Sequence, residues 1–314
     1  DHGGPDDALE EEEGNVTRWV AAAVLALAAG GASLGAEKGI LAPGGTLEKR
    51  ADGFQFTEGP TCDAHGNLFF TDQPNDRILE WSADGHLSVF LHPSGRSNGM
   101  DFDGEGRLIA CADEKNELWA ITPDGATTVL VKGYEGHALN GPNDVWVRPD
   151  GGLYLTDPFY KRPWWTHDTM PQDGQHVYYL APGGRTLLRV TSDLVQPNGI
   201  IGTPDGRTLF VADIGAKKTW RYDIQPDGRL AGKTLVCEHG SDGMTLDDEG
   251  NLYLTGDGVR VFDRSGREVE HIAVPEAWTA NVSFCGPDRH TLFITASKGL
   301  YSIRTRTKGA NPAK

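Results

Sequence analysis

From Asn143 the chain reads as a polar head, a short apolar run (Val145-Trp146-Val147), a Pro149-Asp150-Gly151-Gly152 turn and a second apolar run closing on Thr156-Asp157. Two short apolar runs joined by a tight, Gly-containing turn predict a β-hairpin. The phrase recurs along the chain, headed in turn by Glu58, Asn98, Asn143, Asn198, Asp242 and Asn281. The heads are 40, 45, 55, 44 and 39 positions apart.

A period of this length without helical patterning predicts four-stranded blades arranged around an axis. Each copy supplies two inner strands, and the sequence between copies has room for two more. After the first copy these are Arg77 to Ser82 and His86 to Leu91, and after the fourth Lys218 to Ile224 and Arg229 to Val236. The last copy is followed by one clear strand, Gly299 to Arg304, and Thr46 to Ala51 can supply the missing outer strand. That closure would leave no open sheet edge. The expected architecture is all-β, a six-bladed β-propeller over residues 37–314.

The residues ahead of it differ. Residues 1–15 carry seven acids and no Lys or Arg, which suits a solvated acidic leader or an added tail. Residues 16–36 run from Val16-Thr17-Arg18 through an Ala-rich apolar stretch to small residues, the layout of a secretory signal. That reading predicts export, to the periplasm or the medium; a retained N-terminal helix is the alternative. The stretch is too short and too rich in Ala and Gly for a stable membrane span. A net charge of -16 argues against nucleic acid as a partner. Of the four cysteines, Cys62, Cys111, Cys237 and Cys285, three fall in apolar runs, where a free buried thiol is the expectation. No CxxC or Cys/His metal spacing is present. The sequence leaves the oligomeric state open.

The inner strands of a propeller run in one direction, so the six heads should meet at one end of the axis. Burying amides and carboxylates there without partners is costly. A bound cation would satisfy them, and an all-oxygen set selects a hard ion such as Ca²⁺ or Mg²⁺. The competing account is that these residues cap turns and bond neighbouring backbone. The acids closing the second strands, Asp72, Asp113, Asp157, Asp213 and Asp257, fall where turns favour Asp and read as structural. The longest insertion, Pro158 to Gly174, is aromatic and basic and should lie on the same face as the heads. It reads as a substrate wall or as a loop packed on the propeller. His137, entering the Asn143 strand, could transfer protons or be a bystander.

Glu58-Gly-Pro, Leu139-Asn-Gly-Pro-Asn-Asp144, Gln196-Pro-Asn-Gly199, Ser241-Asp-Gly-Met244 and Asn281-Val-Ser-Phe together resemble the gluconolactonase/regucalcin/luciferin-regenerating family over about residues 46–305. The resemblance implies a six-bladed propeller with one catalytic divalent metal, Ca²⁺ first, with Zn²⁺ or Mg²⁺ as alternatives. Its ligands would be Glu58, Asn143, Asn198 and Asp242. Asn98 would sit beside the metal or on substrate, and His137, Tyr160 and Trp164 complete the candidate substrate contacts. The implied reaction is gluconolactonase-like hydrolysis of a sugar lactone, with Asp242 taking a proton from the attacking water or, alternatively, attacking directly. The regucalcin branch carries an Arg two positions before the Asn that matches Asn143, and this chain has Gly141 there. No GxSxG element points to a serine hydrolase. A calcium-stabilised binding propeller without turnover and a phosphotriesterase-like hydrolase are the other readings.

Overall fold

A computed structural model describes residues 39–312, so the expectations for residues 1–36 lie outside the described residues. Among the described residues, six four-stranded antiparallel sheets form, with a single 3-10 turn at Gln73–Asn75. The innermost strands are Thr57–Cys62, Ser97–Phe102, Val145–Val147, Pro197–Gly202, Met244–Leu246 and Thr279–Cys285, here numbered blades 1 to 6. They follow one another around the axis, and blade 6 returns to blade 1. The fold is a six-bladed β-propeller.

The sixth sheet is completed by Glu48–Asp52, which pairs antiparallel with Gly299–Arg304. The outer strand expected from Thr46 to Ala51 therefore forms, shifted by a residue or two. Strand burial follows position in the blade. Leu68–Asp72 is buried along its whole length, whereas the outer strand Leu87–Leu91 is exposed over its first three residues. Packed sheets bury both faces of their central strands, so those strands are continuously apolar rather than alternating.

Hydrophobic clusters join adjacent blades. Trp146 of blade 3 packs with Ile200, Leu209 and Tyr222 of blade 4. Gly202 makes room for it, because a Cβ there would lie 2.2 Å from the indole. The hairpin turns are stapled by Asp side chains: the Asp103 carboxylate accepts from the amides of Glu105 and Arg107, and Asp247 does the same for Glu249 and Asn251. This is the backbone-bonding chemistry that favours Asp in turns.

Two of the four cysteines depart from expectation. Cys62 and Cys285 form a disulfide with Cα atoms 5.4 Å apart, tying the inner strand of blade 1 to that of blade 6. Cys111 and Cys237 remain free and buried. The pairing follows from the ring: each bridged cysteine lies four positions after its head, so closure sets the two side by side. At the end of the axis away from the heads, the C-terminal segment crosses between blades. Gly309 bridges Asp247, the Ala310 amide donates to Leu246, and Asn311 Nδ2 donates to the Gly202 carbonyl.

Candidate active site

The heads meet as their equivalent positions require. In blades 1, 2 and 4 the ladder between the two inner strands slips at the head residue, so Glu58, Asn98 and Asn198 sit in irregular pairings. Such bulges re-aim a side chain out of the sheet. The glycine that follows most heads is there for close approach. A Cβ on Gly59 would lie 2.1 Å from the Asn98 carbonyl, and one on Gly243 would lie 1.9 Å from the Asn281 side chain. In blade 3 the same position is Asp144, whose carboxylate accepts from the amides of Val145 (3.0 Å) and Ile200 (3.3 Å).

The acids ending the second strands hold the approaches to the heads. Asp72 accepts from the Gln55 and Phe56 amides, Asp157 from Asn140 and Gly141, and Asp213 from Val195 and Gln196. Their expected structural role thus acquires a specific form: they fix the loops that deliver Glu58, Asn143 and Asn198. Asp257 is exposed and takes no part in this.

A cavity of about 350 Å³ opens at this end of the axis. Glu58, Asn98, Asn143 and Asp242 form its floor, and Phe56, Tyr160, Arg162 and Trp278 stand around it. Asn198 lies beside the floor, with Nδ2 donating to Asp242 Oδ1 and to the Tyr160 hydroxyl, both at 2.9 Å. Trp278 Nε1 donates to Asp242 Oδ2 at 2.6 Å. Asn281 turns away from the opening: its Nδ2 donates to Glu58 Oε2 at 3.2 Å, and the Gly59 amide donates to the same oxygen.

Burial pushes the Glu58 carboxyl well above the ordinary carboxylate range, and the neighbouring Asp242 charge adds to it. Burial likewise raises Asp242, to about 6, against the pull of the Trp278 and Asn198 hydrogen bonds. Among the described residues, neither carboxylate has an ion-paired Lys, Arg or His. The side-chain oxygens of Asn98 and Asn198 are buried without a hydrogen-bond partner. A buried carboxylate (Glu58) and a half-buried one (Asp242), neither in an ion pair, together with two orphaned amide oxygens fit a hard divalent cation coordinated by oxygen alone. Among the described residues no cluster of three His, Cys, Asp or Glu occurs, because this set draws half of its candidate ligands from amides.

The structure does not bring all the expected substrate contacts to the cavity. Asn98 and Tyr160 line it. His137 does not: its backbone closes a tight turn with Tyr134, and it borders a separate groove with Val131 and Arg185. Trp164 stacks behind the wall, 4.7 Å from the Arg96 guanidinium. The insertion proves to be both packed and lining. Trp165 Nε1 bonds the Asp113 carbonyl, while Tyr160 and Arg162 reach the cavity. At Gly141 a Cβ would lie 2.7 Å from the Trp165 ring, so the loop occupies the space of a side chain there. Phe56, Gln196 and Trp278 also line the cavity and were not anticipated. Each lies two or three positions ahead of a head, and that spacing is the signal that could have found them.

The SMP-30/Gluconolactonase/LRE-like family profile matches residues 56–298. A gluconolactonase from Zymomonas mobilis is 29% identical over 294 residues, covering 84% of this chain and 82% of its own. A crystal structure of a gluconolactonase-family protein superposes with a TM-score of 0.81 at 34% identity, over 87% of this chain and 96% of that one. A gluconolactonase structure from Xanthomonas campestris gives a TM-score of 0.78 at 30% identity, over 83% and 90%. With most of its propeller matched, this chain belongs to the SMP-30/gluconolactonase/LRE-like family.

Proposed function

We propose that the cavity is a hydrolytic site for small lactones that works with one divalent cation, Ca²⁺ first, with Zn²⁺ or Mg²⁺ as alternatives. The observation that carries this is the pair Glu58 and Asp242, two neighbouring carboxylates with no ion pair, set among the orphaned amide oxygens of Asn98 and Asn198. Family membership and the gluconolactonase relatives support the same substrate class.

Glu58, Asn143, Asn198 and Asp242 would hold the cation. When bound, it polarises the carbonyl of a cyclic ester and stabilises the charge that develops on the oxygen. Asp242 is the group on the floor best able to take a proton from an attacking water. Its two oxygens are fixed by Asn198 and Trp278 and lie at the cavity floor. Asn98 offers its amide to a substrate oxygen. Phe56 and the Trp278 ring give the cavity wall an apolar side.

The test is acid release in a pH-stat from gluconolactone and other aldonolactones, with and without EDTA, alongside metal content by mass spectrometry. Metal-dependent opening of at least one lactone is expected. If no lactone gives metal-dependent acid release, the hydrolytic reading falls, and a cation-stabilised binding propeller without turnover takes its place.

We also propose that the protein works outside the cytoplasm, in the periplasm or secreted. The Cys62–Cys285 disulfide suits an oxidising compartment, and residues 16–36 read as an export signal. A mature N-terminus near Glu37 on native protein is expected; full-length protein confined to the cytosolic fraction would overturn the reading.

A further inference from the structure

Arg162 is the one basic side chain on the cavity wall, and it is unusually well held. Its Nε donates to Asp113 Oδ2 at 2.9 Å, and the same oxygen of the buried Asp113 accepts from Gln73 Nε2 at 3.0 Å. The guanidinium lies 5.4 Å from the centre of the Tyr160 ring and 5.8 Å from that of Trp164. Only 21% of the side chain is exposed. An arginine on a long insertion is normally free to wander, so this anchoring sets a cation at a fixed place on the wall.

The anchoring uses one edge of the group. Among the described residues, neither terminal nitrogen of Arg162 makes a hydrogen bond. A guanidinium held through Nε keeps its two end-on N–H donors in a fork that matches a carboxylate bidentately. Tyr160 spans the distance between this fork and the floor: its hydroxyl meets Asn198, and its ring lies beneath the guanidinium. A molecule whose ester carbonyl sits on the floor would therefore present its far end to Arg162.

The charge balance agrees. The Glu58 and Asp242 charges would be matched by the divalent cation, and Asp113 is engaged behind the wall rather than in the opening. The Arg162 charge acts on Asp242 in the absence of a cation; with the floor carboxylates matched by one, it can pair with a substrate anion while largely desolvated, the setting in which a charge-assisted pair is strongest.

We propose that Arg162 is a specificity-determining anion anchor, which makes the preferred substrate a sugar lactone bearing a second, free carboxylate rather than a neutral aldonolactone. This rests on the lactonase reading above for its reaction, but the anion subsite itself is a matter of binding.

The experiment compares wild type with Arg162→Gln and Arg162→Lys, each checked for an unchanged melting temperature. Hydrolysis of D-glucaro-1,4-lactone and of D-glucono-1,5-lactone is followed by pH-stat. Calorimetry measures binding of the open-chain products glucarate and gluconate. Wild type should favour the carboxylated lactone by about tenfold or more in kcat/KM, and glucarate should bind about tenfold tighter than gluconate, as a charge-assisted hydrogen bond implies. Arg162→Gln should remove both preferences and lower turnover of the carboxylated lactone more than that of the neutral one, because the anion loses its partner. Arg162→Lys should recover part of the preference, since it keeps the charge and loses the fork.

Equal loss on both lactones in Arg162→Gln, or turnover of the neutral lactone without any preference, overturns the anion anchor and leaves the lactonase reading standing. Absence of all turnover with a retained, Arg162-dependent preference for glucarate overturns the lactonase reading and supports the anchor.

Discussion

Trp278 Nε1 donates to Asp242 Oδ2 at 2.6 Å, across 36 positions of sequence. The bond joins the loop ahead of blade 6 to the head of blade 5, and it is the shortest contact on the proposed proton acceptor. It favours the charged carboxylate, since a donated hydrogen bond stabilises the anion more than the acid. Trp278→Phe keeps the aromatic wall and removes the donor. The Asp242 carboxyl should then rise above its value of about 6. Activity would fall by about tenfold, and the acid limb of the pH–rate profile would move to higher pH. An unchanged profile would remove this bond from the mechanism.

Glu58→Gln keeps the shape of the floor and removes one of its two charges. The Asn281 and Gly59 donors that now meet Glu58 Oε2 can still bond an amide oxygen, so the fold should survive. Calcium affinity, read by equilibrium dialysis with metal analysis, should weaken by about a hundredfold or more, since a hard cation loses a charged oxygen. Undiminished calcium binding by a folded Glu58→Gln protein would exclude the residue as a ligand.

These residues were open to view in the sequence because the repeat itself reveals them. Six copies in register identify the heads, and the ring then brings Glu58, Asn98, Asn143, Asn198 and Asp242 together. What the repeat does not carry was harder to find. Arg162 belongs to an insertion without a counterpart in other blades, so neither period nor spacing marks it. Trp164 and Trp165 were indistinguishable from the lining residues Tyr160 and Arg162 as letters. Only the packing of Trp165 on Gly141 and of Trp164 on Arg96 separates wall from support. The disulfide was legible in principle: Cys62 and Cys285 occupy the same offset in copies that closure makes neighbours. Reading each cysteine singly, as an apolar strand residue, hid the pairing.

That disulfide gives a stability prediction. It joins the first and last inner strands, and the outer strand Glu48–Asp52 closes the same ring independently. Cys62→Ala with Cys285→Ala should therefore still fold, but with a loss of about 2–4 kcal/mol. Denaturant unfolding under matched conditions measures it. A double variant as stable as the oxidised parent would show that the paired strand alone secures closure.

The close approach of neighbouring heads can be tested at Gly243. A Cβ there would lie 1.9 Å from the Asn281 side chain, between the inner strands of blades 5 and 6. The neighbour is boxed in by its bonds to Glu58 and to the Val282 amide, so it cannot step aside cheaply. Gly243→Ala should cost about 2 kcal/mol or more of stability, as overpacking does. It should also lower activity by displacing Glu58 through Asn281. Wild-type stability and activity together would mean that the heads have more room than their spacing implies.

The carboxylates of this propeller set the pH dependence of its stability. Burial raises Glu58 well above the ordinary range, Asp242 and Asp113 to about 6, and Asp144 and Asp157 to about 7. An unfolded carboxyl titrates near about 4. A folded-state value above the unfolded one means that the native state binds its proton more tightly. The associated stability is complete below the unfolded value and is lost as pH rises through about 6 to 7. In EDTA the melting temperature should therefore fall by about 5 °C or more between pH 5 and pH 8. Saturating calcium should flatten part of that slope, because a cation favours the charged forms of Glu58 and Asp242 but does not reach Asp157, whose partners are the backbone amides of Asn140 and Gly141. Differential scanning calorimetry at four pH values, with and without calcium, separates the two contributions. A melting temperature in EDTA that is flat or rising across this range would contradict the upward shift that burial gives these carboxylates, and a slope untouched by calcium would place the cation away from Glu58 and Asp242.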